Sequence, residues 1–203
     1  MAGAAVQVSG IILKREPSGE KFERLYLLAV ERGPVALLMR RPGAKSSSTL
    51  PDIFDQVDFL VDDRPGSDFS FVREARILRQ RTALGASYPA LARASEFALI
   101  LHRNLPRDIG AEAIYELFVT ALEAWERGLQ PDIVFFKSLY LLVRGEGYPI
   151  RQAWLNQLPG SSQKEARTLL NLPIRDQTMD PKQVNAWVAR LKHYIAHHTD
   201  IVV

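Results

Sequence analysis

Apolar residues change their spacing near residue 81. Before that point they come in short runs bounded by turn residues; after it they recur at helical intervals. Val6, Val8, Ile11 and Leu13 form the first run, with Ser9-Gly10 interrupting it. A glycine inside a strand has no side chain to pack, so Gly10 predicts a bulge or sharp bend. Pro17-Ser18-Gly19 is a turn signal. Leu25 to Val30 and Val35 to Met39 are two further strands joined tightly through Arg32-Gly33-Pro34, the pattern of a hairpin. Ile53, Val57, Phe59 and Val61 alternate around Asp52, Asp58 and Asp62 as a fourth strand. Asp63-Arg64-Pro65-Gly66 turns, and Phe69, Phe71 and Val72 open a fifth. Five short strands in about 75 residues predict a small closed barrel, which leaves few edges exposed.

The rest reads as helix. Tyr88 to Leu101 carries Leu91, Ala94, Ala98 and Leu101 on one stripe. A second helix follows Pro106-Arg107, with Ile109, Ala113, Leu117, Ala121, Ala124 and Trp125. Ile133 to Val143 is strongly apolar and stops at Gly145, Gly147 and Pro149. Ser162 with Glu165 three residues later predicts a capping box. Asp180-Pro181 opens a last helix whose apolar face is Val184, Trp187, Val188, Leu191 and Ile195. The expected class is β + α, with residues 1–80 in the strand domain and 81–203 in an all-helical domain.

The formal charge of +3, from 26 basic and 23 acidic residues, says little about partners. Its distribution says more. Residues 14–48 hold Lys14, Arg15, Lys21, Arg24, Arg32, Arg40, Arg41 and Lys45 against Glu16, Glu20, Glu23 and Glu31. Residues 52–68 hold six aspartates and one arginine. No apolar run is long enough for a bilayer, and the start lacks a basic segment of the signal-peptide kind. A soluble cytoplasmic protein is expected.

Catalytic signals are weak. The chain has no cysteine, which excludes disulfides, thiolate metal sites and a cysteine nucleophile. His193 and His197 share a helix face at a spacing that can bind zinc, with Asp200 as a conceivable third ligand. The site lacks the glutamate of a His-Glu-x-x-His pattern, and histidines near a helix C-terminus also suit the dipole and solvent. Gly43-Ala44-Lys45-Ser46 does not meet the spacing of a phosphate-binding loop. Ser46-Ser47-Ser48 has no neighbouring histidine to activate a hydroxyl. The aspartates fit the solvated face of a strand. We therefore expect no enzyme activity, no cofactor and no metal.

Binding signals are stronger. A small barrel presenting basic side chains suits nucleic acid, because Lys and Arg attract phosphate without reading bases. The candidates are Lys14, Arg15, Lys21, Arg24, Arg40, Arg41 and Lys45, with Phe22 and Tyr26 as base-stacking aromatics.

These residues also carry a resemblance. The run Gly10-Ile11-Ile12-Leu13-Lys14-Arg15-Glu16-Pro17-Ser18-Gly19-Glu20 resembles the opening strand and turn of the bacterial recombination-mediator and DNA repair family RecO. LYLLAVERGPVALLM, residues 25–39, is similar to that family's second and third strands. RRPGAKSSS, residues 40–48, resembles its basic loop, and Leu50-Pro51-Asp52-Ile53-Phe54 sits where it has a Leu-x-Pro-Phe segment. Ile133 to Leu142, followed by Gly147-Tyr148-Pro149, looks like its long helix and helix end. Leu191 to His198 resembles its closing helix.

The resemblance implies an N-terminal five-stranded OB-fold barrel and a helical domain. It also implies binding to single- and double-stranded DNA, strand annealing, and help in loading a RecA-type recombinase onto coated single strands. The implied partners are a RecR-like protein and the acidic, hydrophobic tail of a single-stranded-DNA-binding protein. Lys14, Arg15, Arg24, Arg40, Arg41 and Lys45 match basic positions of the family. The four-cysteine zinc site of many relatives is absent, and the loop is less basic than usual. The alternative is a protein-interaction adaptor on the same scaffold, with weak or no DNA binding. Acidic residues that break the basic patch would favour it.

Overall fold

The computed structural model describes residues 4–43, 49–63, 69–106 and 111–203. Five strands come first: β1 (Ala4–Ser18), β2 (Phe22–Ala29), β3 (Gly33–Arg40), β4 (Gln56–Asp63) and β5 (Ser70–Arg79). Among the described residues six α-helices follow, with short 3-10 turns between some of them: α1 (Tyr88–Asn104), α2 (Glu112–Glu126), α3 (Pro131–Gly145), α4 (Ile150–Ala153), α5 (Gly160–Asn171) and α6 (Pro181–His198).

The strand order is β1-β2-β3-β5-β4, with β4 returning to β1. β1 serves two partners: its first part pairs with β4 and its second with β2, and Gly10 and Ile11 pair with both. The meander β1-β2-β3 and the β4-β5 hairpin are antiparallel. The core is the face of alternating apolar residues: Val8, Ile12, Leu25, Leu27, Leu37, Val57, Phe59 and Val61. Alternation puts every second side chain inside and turns most charged ones outward, with Glu23 of β2 as a buried exception.

The expected OB-fold barrel needs correcting at one seam. Among the described residues, β3 meets β5 in parallel at Leu37–Ser70 and Leu38–Phe71 alone. The pairing cycle returns on itself through that short contact rather than through a ladder of the length seen elsewhere. The strands thus close their cycle through that short seam in a mixed β + α arrangement, and among the described residues β5 from Val72 to Leu78 pairs with β4 on one side and with no strand on the other. The physical reason is in the sequence of β5. Arg73, Glu74, Arg76 and Arg79 are exposed, and charged side chains along an edge oppose further pairing.

Two compact units emerge. One is Met1–Arg81 with Leu101–Tyr115, and the other is Thr82–Ile100 with Glu116–Val203. The strand unit therefore includes the end of α1 and the start of α2, rather than ending at a single cut near residue 80. Within it, Ala111 N–H donates to the Val30 carbonyl at 3.1 Å.

In the helical unit, Phe97 lies 6.0 to 6.5 Å from the rings of Phe118, Phe135 and Trp125. A second cluster centres on Trp154, which meets Phe136, Tyr140, Trp187 and Tyr194. Asp180 caps α6 as expected, accepting from Lys182 N–H at 3.0 Å. The expected capping box at Ser162 does not form. α5 starts earlier, at Gly160, with Pro159 at the cap and no side-chain cap bond. Ile109, expected on the second helix, lies outside the described residues.

A polar clamp ties α1, α3 and α6 together. Arg93 donates to Asp132 at 2.7 Å and to Glu96 at 2.6 Å, and Lys192 donates to Glu96 at 2.7 Å. Burial disfavours ionised Glu96, yet the hydrogen bonds from Lys192 and Arg93 outweigh it and hold its pKa below 4.5. A lowered carboxylate pKa stabilises the fold above the carboxylate range, and that stabilisation disappears as pH falls through the shifted value. Glu96→Gln is therefore expected to lower the melting temperature at neutral pH and to narrow its gap from wild type near pH 3. Thermal melts at both pH values check this; a gap that stays constant defeats it.

Candidate nucleic-acid interface

The predicted cations fall into two groups. Register brings the first together on the β1-β2 hairpin, where Lys14 lies opposite Tyr26 and Glu16 opposite Arg24. Facing residues share a side of the sheet, so Glu16 sits among three donors. Lys14 Nζ approaches it at 2.7 Å, Tyr26 Oη at 2.9 Å and Arg24 at 3.3 Å. The Lys14 and Tyr26 hydrogen bonds hold the Glu16 carboxyl below its usual value. The Tyr26 ring lies 4.4 Å from the His102 ring, tilted by 57°, with Lys14 5.2 Å from its centre. Arg24 lies over the Phe69 ring at 4.5 Å. Arg15 points elsewhere, to the Pro51 carbonyl at 3.3 Å and Asp52 at 3.4 Å. The cations of this group are thus neutralised locally, and Tyr26 already has a ring partner.

The second group lies where β2 begins and β3 ends. Arg41 N–H donates to the Lys21 carbonyl at 2.9 Å, which holds Lys21, Arg40 and Arg41 side by side. Arg40 pairs with Phe22, so both occupy one face. Phe22 meets Phe71 edge-on at 6.0 Å. Lys21 and Arg40 are exposed. Arg41 Nε donates to Glu23 at 2.8 Å, and Glu23 is 7% exposed. Lys45 lies outside the described residues.

Beside this group the divergence of β3 and β5 opens a cleft of about 550 Å³. Arg40, Arg73 and Arg76 line it, with Met39, Val72 and Ile77 as apolar surface and no carboxylate among the described lining residues. Arg73 forms an ion pair with Asp62. Sequence reasoning passed over Arg73 and Arg76, although the run Arg73, Arg76, Arg79 and Arg81 signals a basic strand after the acidic stretch. The aspartates have varied uses: Asp58 accepts from Gln7 and Ser9 at 2.6 and 2.7 Å, whereas Asp55 is buried.

A separate pocket of about 230 Å³ lies in the helical unit. Lys137, Arg144, Arg151 and Arg167 line it together with Tyr140, Leu141 and Leu155. Burial lowers the Lys137 pKa and raises that of Tyr140, the latter opposed by Arg144 and Arg151. This cation set also escaped the sequence reading, because its members come from three helices.

At the end of α6, the His197 ring nitrogen Nδ1 lies 2.7 Å from the His193 carbonyl. Asp200 is engaged with Tyr148 instead of with either histidine. Among the described residues, no group of three or more His, Asp or Glu could hold a metal. No helix among them is long and apolar enough to cross a membrane. Neither a protein-family model nor a curated protein matches the chain.

The Arg41–Glu23 pair makes a prediction. Glu23→Gln keeps an acceptor for Arg41 but removes the neutralising charge. If Arg41 neighbours bound phosphate, the variant should bind single-stranded DNA several-fold more tightly, with a salt slope steeper by about one unit or less. Unchanged affinity and slope would place Arg41 outside the interface.

Proposed function

We propose that the chain binds the DNA backbone without reading base sequence and performs no chemistry on it. The carrying observation is the cleft in which Arg40, Arg73 and Arg76 converge, with no carboxylate among its described lining residues and Arg73 alone of the three paired, with Asp62. Guanidinium groups donate several hydrogen bonds to phosphate oxygens, and a cleft lined by one sign of charge concentrates the attraction. Exposed Lys21 and Arg40 extend the positive surface, and Phe22 with Phe71 offers aromatic edges beside it.

The resemblance to the RecO family supports reading this binding as part of DNA repair in the cytoplasm. The chain then acts as a recombination mediator that anneals strands and helps load recombinase, with a RecR-like partner. The pocket of Lys137, Arg144, Arg151 and Arg167 has the chemistry for the acidic, hydrophobic tail of a single-stranded-DNA-binding protein: four cations around apolar surface.

A second reading has its own observation. Lys14, Arg15, Arg24 and Arg41 are each paired with Glu16, Asp52 or Glu23. That pairing suits a protein-interaction adaptor with little DNA affinity. Titration of fluorescent single-stranded oligonucleotides at several salt concentrations separates the two. DNA binding predicts equal affinity for unrelated sequences and a linear loss of log affinity with log salt. No binding at about 50 mM salt by folded protein would leave the adaptor.

A further inference from the structure

The unpaired edge of β5 borders the basic cleft along its length. Val72, Arg73, Ala75, Arg76 and Ile77 all line the cleft, while β4 takes the other edge of the same strand. In an isolated strand edge, main-chain N–H groups of alternate residues point outward and need acceptors.

We infer that a single nucleic-acid strand lies along this edge, with its phosphates held jointly by the Arg40 and Arg76 side chains, by Arg73 shared with Asp62, and by outward main-chain N–H groups of Val72–Leu78. The inference rests on the DNA-binding reading and specifies its ligand. Phosphate oxygens accept from backbone N–H groups as well as from arginine, and neither contact depends on the base. The competing occupant of a strand edge is an extended peptide added to the sheet. Here residues 73 to 76 are all exposed, and Arg73, Glu74 and Arg76 bring three charges to that stretch, the pattern that discourages sheet addition. A polyanion gains from the same arginines. A duplex carries its phosphates on a convex surface, whereas the cleft is concave and runs along one strand. A single strand fits that shape.

Length sets the footprint. Val72–Arg79 spans roughly 26 Å at ~3.3 Å per residue. At about 3.4 Å per stacked nucleotide this accommodates at most roughly eight nucleotides, and fewer for an extended strand. A footprint of about four to eight nucleotides follows, at the short end of single-strand sites.

The test uses the full chain with labelled oligothymidines of 2 to 16 nucleotides, a 16-base-pair duplex, and hydrogen exchange of the amides. Affinity is expected to climb steeply up to about four to eight nucleotides and to gain only slowly beyond. The duplex is expected to bind at least about tenfold more weakly. An eight-nucleotide strand should slow exchange across residues 72–79. Arg76→Glu, an exposed change that leaves the core alone, should abolish that protection. DNA binding without protection of 72–79, or with equal duplex affinity, overturns this inference and leaves the DNA reading standing. An oligoglutamate peptide that protects 72–79 where the oligonucleotide does not would assign the edge to an acidic protein segment and overturn it too. No oligonucleotide binding at about 50 mM salt overturns both.

Discussion

Gly10→Ala is expected to destabilise the protein by about 3 kcal/mol or more. Gly10 sits where β1 passes from β4 to β2 and pairs with Ala29 on one side and Val57 on the other. A Cβ built there collides with the Leu28 main-chain oxygen and comes within 2.9 Å of Leu27 Cγ. Leu27 and Leu28 are wholly buried, so neither can retreat into solvent. The backbone of β2 would have to move, and with it the register of the meander. For a chain of this size, 1 kcal/mol shifts the melting temperature by about 2–4 °C, so a fall of roughly 6–12 °C is expected. Gly19→Ala supplies a contrast. Gly19 has φ +66 and nothing within 4 Å of its would-be Cβ, so its cost is the backbone term alone, about 1–2 kcal/mol. Melts followed by circular dichroism compare the two. A Gly10→Ala fall no larger than that of Gly19→Ala would mean that the strands are not so closely packed at this point.

Gly10 also illustrates how far the chain could be read beforehand. Its interruption of an apolar run did mark a special place in β1. The predicted bulge lies elsewhere, with the register shift against β2 between Ile12 and Lys14; what Gly10 supplies is room for a neighbouring backbone. The alternation in Ile53 to Val61 led to β4, yet Ile53 precedes the strand in a turn. Here a local geometry overrides the pattern. Phe54 adopts φ +73, a conformation rare for an aromatic residue. It is fixed by Phe54 N–H donating to the Ile12 carbonyl at 2.8 Å and Ile12 N–H donating to the Asp55 carbonyl at 3.1 Å. No spacing rule predicts contacts between residues so far apart in sequence.

The candidate site was legible in part for the same reason. Composition marks where cations are dense, but only register shows which acids they face. Glu16 and Lys14 are two apart in sequence, and a strand puts them on one face. That much was readable. The approach of Arg24 and Tyr26 to the same carboxylate requires the β1-β2 pairing. The cleft beside β5 depends on two strands diverging after Leu38 and Phe71, a feature set by three-dimensional curvature.

That geometry changes which arginines should be replaced. Arg40 and Arg41 are adjacent in sequence and invite joint substitution. Arg41→Ala, however, would leave Glu23 buried without its partner, and an unpaired buried carboxylate is costly in itself. A loss of affinity in such a variant would mix folding with binding. Arg40 and Arg76 avoid the difficulty. Both are exposed, both line the cleft, and they come from different strands. Arg40→Ala with Arg76→Ala is expected to cost little stability, within about 1 kcal/mol for two exposed changes. Each arginine that meets a phosphate contributes about one unit to the slope of log affinity against log salt. The double variant should therefore lose roughly two units of slope. Hydrogen bonds to charged groups contribute about 1.5–3 kcal/mol each, and solvent screening at the exposed cleft reduces that figure. A fall in affinity of at least about tenfold at low salt follows, since about 1.4 kcal/mol is tenfold. The fall should be the same for every oligonucleotide sequence, because lost phosphate contacts carry no base information. Arg190→Ala is the matching control. Arg190 lies on α6 in the helical unit, 4.9 Å from the Trp187 ring, and lines none of the cleft. An unchanged slope in the double variant, with wild-type protein binding normally, would remove the cleft from the interface.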